Sequence, residues 1–309
     1  MKQLLYILIM ALSSGVMTGC KKEAKLTPTT KPENVYGDPT LPQGNHPYDA
    51  DIQQLFQKYR TLFLYKYQHR DLYYNVSENL EGTYDTAADQ ITKPGWFDVP
   101  ANEQYVGMQL DLLKDIWLKY YPDSLLRKGL PQKVYLLDSL YFAALPYPYT
   151  AHGKPSGFIN SDYIGDGFSG GDFIVATWGG TRITGMTQTD KYTLKARLNA
   201  AFLAFAHKQG AVRVSAAFTG LTDYSSLNWS NYQDMGVIDY YYAGTPYKDW
   251  DKFMETIVSN SYDVLTSPGY ILSPDTDTKG VYRKKYDIMI NYFKTTFGVD
   301  LQAIGNAGL

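Results

Sequence analysis

Residues 187–210, TQTDKYTLKARLNAAFLAFAHKQG, constrain the chain more than any other stretch. Thr187, with Asp190 three residues on, is a capping-box start, and Gly210 is a stop that tolerates the left-handed region. Between them Leu194, Leu198, Ala201, Phe202 and Phe205 recur at helical spacing, which predicts a core helix that other elements must cover. His207 lies near its end. One turn earlier on the same face stands Leu203, with Ala204 beside it, so 203–207 reads LAFAH. A helix that holds a catalytic zinc places His, Glu, any two residues and His in such a window. Imidazoles at i and i+4 reach one metal there, and the carboxylate between them activates its water. Only the second imidazole is present, which argues against ordinary metal-hydroxide catalysis at this window.

The chain starts with Lys2, an apolar run from Leu4 to Leu12 and then Met17-Thr18-Gly19-Cys20. A basic start with so short an apolar run reads as a secretory signal peptide over residues 1–19, not as a membrane-spanning helix. The Thr-Gly-Cys ending resembles a bacterial lipobox, so Cys20 is the expected lipidation site. It is the only cysteine in 309 residues, which excludes internal disulfides, thiol catalysis and a cysteine-rich zinc site. Residues 20–48, rich in Pro, Lys, Thr and Gly, read as a tether that holds the remaining domain, 49–309, off a bilayer. The expected location is the cell envelope, anchored by lipid to the outer membrane.

Net charge is −2 with no basic run, which speaks against nucleic-acid partners and against electrostatic membrane binding. There are 29 tyrosines against 13 phenylalanines, a balance that suits core edges and surfaces that handle glycans, because tyrosine joins a stacking face to a hydroxyl. The periodicities predict helices over 51–59, 103–120, 249–262 and 281–297, and strands over 61–67, 133–140 and 171–178. In the second helix Tyr105, Met108, Leu112, Leu113, Ile116, Trp117 and Tyr120 are expected inward. Residues 68–100 read as a loop, and 143–170, with His152, as a long surface excursion. His46, His69 and His152 lie in or beside loops without ligand spacing. Gly179-Gly180 and Gly170-Gly171 bracket the last strand as turns.

Several segments together resemble a family. They are PYDADIQQLFQKYRTLFLYKY near the start, the strand KVYLLDSL, the FAHKQ helix end, GVIDYYYAGT followed by DKFMET, and the closing NYFKTTFGVDL. In this order they resemble the HExxH zinc metallohydrolase lipoproteins of Bacteroidota found beside outer-membrane import systems, a zinc-binding metallopeptidase group. The resemblance covers most of residues 48–305 and implies an α+β, zincin-like fold. That fold has a mixed sheet whose edge strand, 173–178, lies along an extended substrate, then a central metal helix and a mainly helical C-terminal lobe. It implies metal-ligand positions at His207 and Glu255, with Leu203 where the first metal His belongs and Ala204 where the general base belongs. Tyr242, in a segment bordering the cleft, could bind substrate or support an oxyanion, with packing in the cleft wall the favoured role.

The expectation is therefore a lipoprotein without catalysis, acting as an accessory or binding protein in nutrient uptake. Its former active-site cleft would hold a peptide or glycan. No cofactor is expected, or zinc if the residual pair still binds it, and the other partners would be the membrane and an outer-membrane transporter complex. Two alternatives stand beside it. One is an active zinc peptidase with non-standard ligands drawn from Asp223, Asp234 or Asp239; the other is a structural scaffold of an uptake complex.

Overall fold

A computed structural model describes residues 40–72, 82–85, 90–93, 95–143 and 173–308, all within one compact unit, Pro39–Leu309. The expected leader, Cys20, His152, Gly170-Gly171 and the excursion after residue 143 lie outside the described residues. The fold enters with α1 (Pro47–Tyr59) and β1 (Leu62–Leu64), then an antiparallel ribbon of β2 (Thr83–Asp85) and β3 (Gln90–Lys93), then β4 (Gly95–Pro100). Helices α2 (Val106–Ile116) and α3 (Asp123–Gly129) lead to β5 (Lys133–Ala143) and β6 (Phe173–Ala176). From there the described elements are helical: α4 (Gln188–Lys208), the one-turn α5 (Ala216–Thr219), α6 (Pro246–Ser259), α7 (Tyr262–Thr266), α8 (Val281–Phe297) and α9 (Leu301–Asn306).

β5 organises a small open sheet. Its first half pairs in parallel with β1 and β6, and its second half pairs antiparallel with β4. Alternation along these strands divides the interior. Phe63, Val134, Leu136, Ile174 and Ala176 face the main core with the helices, whereas Leu64, Tyr135, Leu137, Phe173 and Val175 form a second cluster on the other face. Both faces are covered, so Val134–Leu137 is a continuous buried run.

α4 begins as its sequence dictates. Thr187 Oγ1 accepts the Asp190 backbone N–H at 3.1 Å, and the Thr187 N–H donates to Asp190 Oδ2 at 3.0 Å. From Leu194 onward burial wraps nearly all the way round the helix, because Ala196, Ala200 and Ala206 let neighbours close on faces away from the predicted stripe. Asn199, buried among them, donates to the Ile116 carbonyl at 2.9 Å and accepts from the Tyr121 hydroxyl at 2.8 Å.

Some boundaries differ from expectation. The 68–100 span contains β2, β3 and β4. GWFDVP is too short, and too interrupted by Asp98 and Pro100, to show a period, yet it completes β5 in register from Gly95↔Ala143 to Val99↔Ser139. The first strand is only Leu62–Leu64, the second helix closes at Ile116 before a 3₁₀ turn at Leu118–Tyr120, and α3 has no counterpart in the sequence reading. Met108 is 47% exposed, and Gln109 takes the inward position instead. The reason is polar: Gln109 Nε2 donates to the carbonyls of Leu137, Ala176 and Thr177 at 3.1, 2.9 and 2.8 Å, a task no apolar side chain can perform at a buried strand end. Gly179 serves close approach: a Cβ there would stand 2.5 Å from the Ala101 side chain and 2.9 Å from the Leu137 carbonyl. The stretch read as tether is fixed from Gln43, whose side chain bonds the backbone of Tyr65 and Lys66.

Candidate functional site

The last turn of α4 packs against the first turns of α6. Thr245 caps α6 and Pro246 occupies its first turn, so Tyr247, Asp251 and Glu255 follow at i, i+4 and i+8 along one face. Trp250, Phe253, Met254, Ile257 and Val258 make up the buried side of the helix next to that stripe. That geometry lays the polar stripe of α6 over His207.

His207 is 5% exposed. Its Nδ1–H donates to Asp251 Oδ1 at 2.6 Å, and the Tyr247 ring stacks on the imidazole with centroids 3.8 Å apart and planes 20° apart. A carboxylate on Nδ1 fixes the tautomer and leaves Nε2 as the nitrogen able to accept a proton or make one metal bond. Tyr247, 45% exposed, roofs the pair.

The other site positions lie differently. Leu203 is wholly buried in the main core and Ala204 is half-buried; neither carries a donor atom for a metal or a base for water. Glu255 is exposed and bound to Lys252 at 3.0 Å, so Asp251 is the acid the structure places on His207. Asp251 opens the DKFME segment that Glu255 closes, one helical turn earlier, and that shared face was the available signal. Tyr242 is 74% exposed, and Tyr247 is the tyrosine that covers the imidazole.

Two of the three acids named as substitute ligands serve turns. Asp223 Oδ1 accepts from Ser225, and Asp239 Oδ1 accepts the N–H groups of Tyr241 and Tyr242; Asp234 lies on the exposed surface. His46 pairs with Glu103 at 2.7 Å and His69 with Asp98 at 2.8 Å, both partly open to solvent. Among the described residues no three His, Cys, Asp or Glu side chains converge as a metal would require. One imidazole whose nearest acid is spent on its own ring nitrogen does not fit a catalytic zinc, which takes three protein ligands.

A buried pair that the periodicity did not flag lies on the other side of α6. Lys285 Nζ and Asp249 Oδ2 are 2.5 Å apart, both side chains fully buried. Lys285 also donates to the Gly236 carbonyl at 2.9 Å, and the Tyr224 hydroxyl donates to Asp249 Oδ2 at 2.7 Å. The rings of Phe218, Phe253 and Tyr224 surround the ammonium at 4.9, 5.5 and 5.7 Å. Burial pushes the Asp249 carboxyl up and the Lys285 ammonium down, each against the pull of its partner.

No family model matches the chain, and no curated protein matches it. A solved structure from Bacteroides caccae, described as "a putative zinc-binding metallo-peptidase", aligns with a TM-score of 0.42 at 13% identity, over 82% of this chain and 86% of that one. A likeness that slight does not establish a shared fold, so the chemistry rests on this chain's own residues.

Proposed function

We propose that this protein is an envelope-anchored lipoprotein of zincin-like descent that binds an extended ligand and does not hydrolyse it, serving nutrient uptake at the outer membrane. One observation carries the reading. Where hydrolysis needs a second imidazole and a base, α4 has a core leucine and an alanine, while the remaining histidine is tied to Asp251 and roofed by Tyr247. The His207–Asp251 contact between the central helix and a later helix supports the descent, since it is the relation a metal helix keeps with its supporting acid. The Thr-Gly-Cys20 context supports the anchor.

The test is metal content of the purified protein after exposure to limited zinc and dialysis, run beside His207→Ala and Asp251→Ala. The expected result is no stoichiometric zinc in any of the three, and no chelator-sensitive peptidase activity. One zinc per chain, lost in both variants, would establish instead the metallohydrolase with unusual ligands. A scaffold would co-purify with a transporter and show no ligand-dependent rise in Tm, whereas a binding protein gains stability as ligand exceeds its Kd.

A further inference from the structure

Among the described residues, the aromatic side chains most open to solvent gather on one stretch. Trp229 is 59% exposed, and Tyr241 and Tyr242 are each 74% exposed. Of the five tryptophans only Trp229 is exposed; the others are buried or partly so. Trp229 lies against Tyr232 at 5.5 Å, Tyr241 at 5.3 Å and Tyr240 at 6.0 Å, and Tyr240 in turn lies 6.2 Å from Tyr232 and 5.5 Å from Tyr241. Beside this shelf is a recess of about 350 Å³ walled by Tyr224, Tyr240, Tyr241, Thr245 and Lys248. Its volume is within the roughly 300–1,000 Å³ of small-ligand clefts.

The shelf is held from two directions. Asp239 Oδ1 accepts the N–H groups of Tyr241 and Tyr242 at 3.0 and 3.2 Å, and Asn228 Oδ1 accepts the Ser230 N–H at 2.9 Å. From below, the Tyr224 hydroxyl is committed to the buried Asp249–Lys285 pair, which fixes the ring as the back wall of the recess. Leaving such rings in water forgoes the stabilisation that burying them would give. A preorganised aromatic face is what that exposure leaves available.

Its geometry selects among ligands. An aromatic cage for an ammonium, or a slot for a proline ring, needs rings spaced apart with the guest between them. Here the ring centroids are 5.3–6.2 Å apart, so the rings contact one another and leave no slot. A net charge of −2 and a single lysine in the recess do not suit a nucleic-acid backbone. What remains is open ring faces beside hydroxyl and ammonium groups, the complement of a pyranose, which presents a flat C–H face ringed by hydroxyls.

We propose that this surface binds neutral oligosaccharide, with sugar rings stacked on Trp229 and Tyr241 and a further residue hydrogen-bonded in the recess by Thr245 and Lys248. The site shares no residue with the His207 pair, so it stands or falls apart from the reading of that pair.

Acrylamide quenching of tryptophan fluorescence in the full chain reports Trp229 above the buried indoles. Maltohexaose, cellohexaose and xylohexaose serve as probes, with decaproline as the competing ligand. At least one hexasaccharide should lower the quenching slope saturably, and Tyr241→Ala should weaken that binding by roughly tenfold or more. Tyr270→Ala, which removes an exposed ring outside the shelf and the recess, should bind as the parent does. Protection by decaproline alone, no protection by any hexasaccharide, or protection unchanged in Tyr241→Ala would each overturn the assignment.

Discussion

Lys285 occupies a position on α8 that the helical spacing reserves for an apolar residue, yet its ammonium is fully enclosed with Asp249. Removing one partner strands a charge in a site lined by Phe218 and Phe253. Asp249→Ala or Lys285→Ala should therefore each cost about 3–5 kcal/mol in urea unfolding. The double variant Asp249→Ala with Lys285→Ala should cost less than the two singles together, with a coupling of about 1–3 kcal/mol. Additive losses would mean that the two groups do not support each other. Neither partner announces the other in the sequence, because Asp249 and Lys285 are 36 residues apart. Asp251 escapes notice for the same reason. By contrast Thr187, Asp190 and Gly298 act on their immediate neighbours: the first two close the capping box, and Gly298 ends α8 with φ at 71°.

At the scale of elements, α4 is joined to its surroundings by lysines as well as by packing. Lys195, buried on α4, donates to the carbonyls of Ile304, Gly305 and Ala307 at 2.5, 3.2 and 2.6 Å and so closes the end of α9. Lys195→Met keeps the stem but leaves those carbonyls unmet, and a loss of about 1–3 kcal/mol is expected in chemical denaturation. Asp115 at the end of α2 meets Lys119 at 2.7 Å and Lys191 of α4 at 2.6 Å, and these bonds hold its carboxyl below the usual range. A carboxyl whose folded pKa is depressed stabilises fully above its unfolded value of about 3.9. That stabilisation is lost as pH falls through the folded value. Because the group is half exposed, Asp115→Asn should lower stability at neutral pH by no more than about 1 kcal/mol, and the gap between the proteins should close on acidification. A difference that persists in acid would point to packing instead. The helices themselves were legible wherever an apolar stripe ran for several turns. β4 was not, since its pairing with β5 is made by backbone groups that every sequence carries.

For the whole molecule, the proposed descent makes its own prediction. Leu203 is fully buried one turn before His207, so Leu203→His with Ala204→Glu places an imidazole in the core and should lower stability by about 2–4 kcal/mol without metal. If α4 and α6 keep the arrangement of a zinc site, the new imidazole and His207 Nε2 can share one ion while Asp251 holds His207 Nδ1, and zinc should restore much of the lost Tm. A Tm indifferent to zinc would count against that descent. The sequence by itself determined the central helix and its caps, the absence of a donor atom on the side chains of Leu203 and Ala204, and the apolar runs of β5 and β6. All of these depend on residue type and on spacing within a few turns. Only the tertiary structure decided that Asp251 and not Glu255 meets His207, that Asp249 and Lys285 bury their charges together, and that Trp229 and Tyr241 form one exposed face. Each of these is a contact between segments distant in the chain, set by which helix faces come together when the core is packed, and no local pattern encodes that choice.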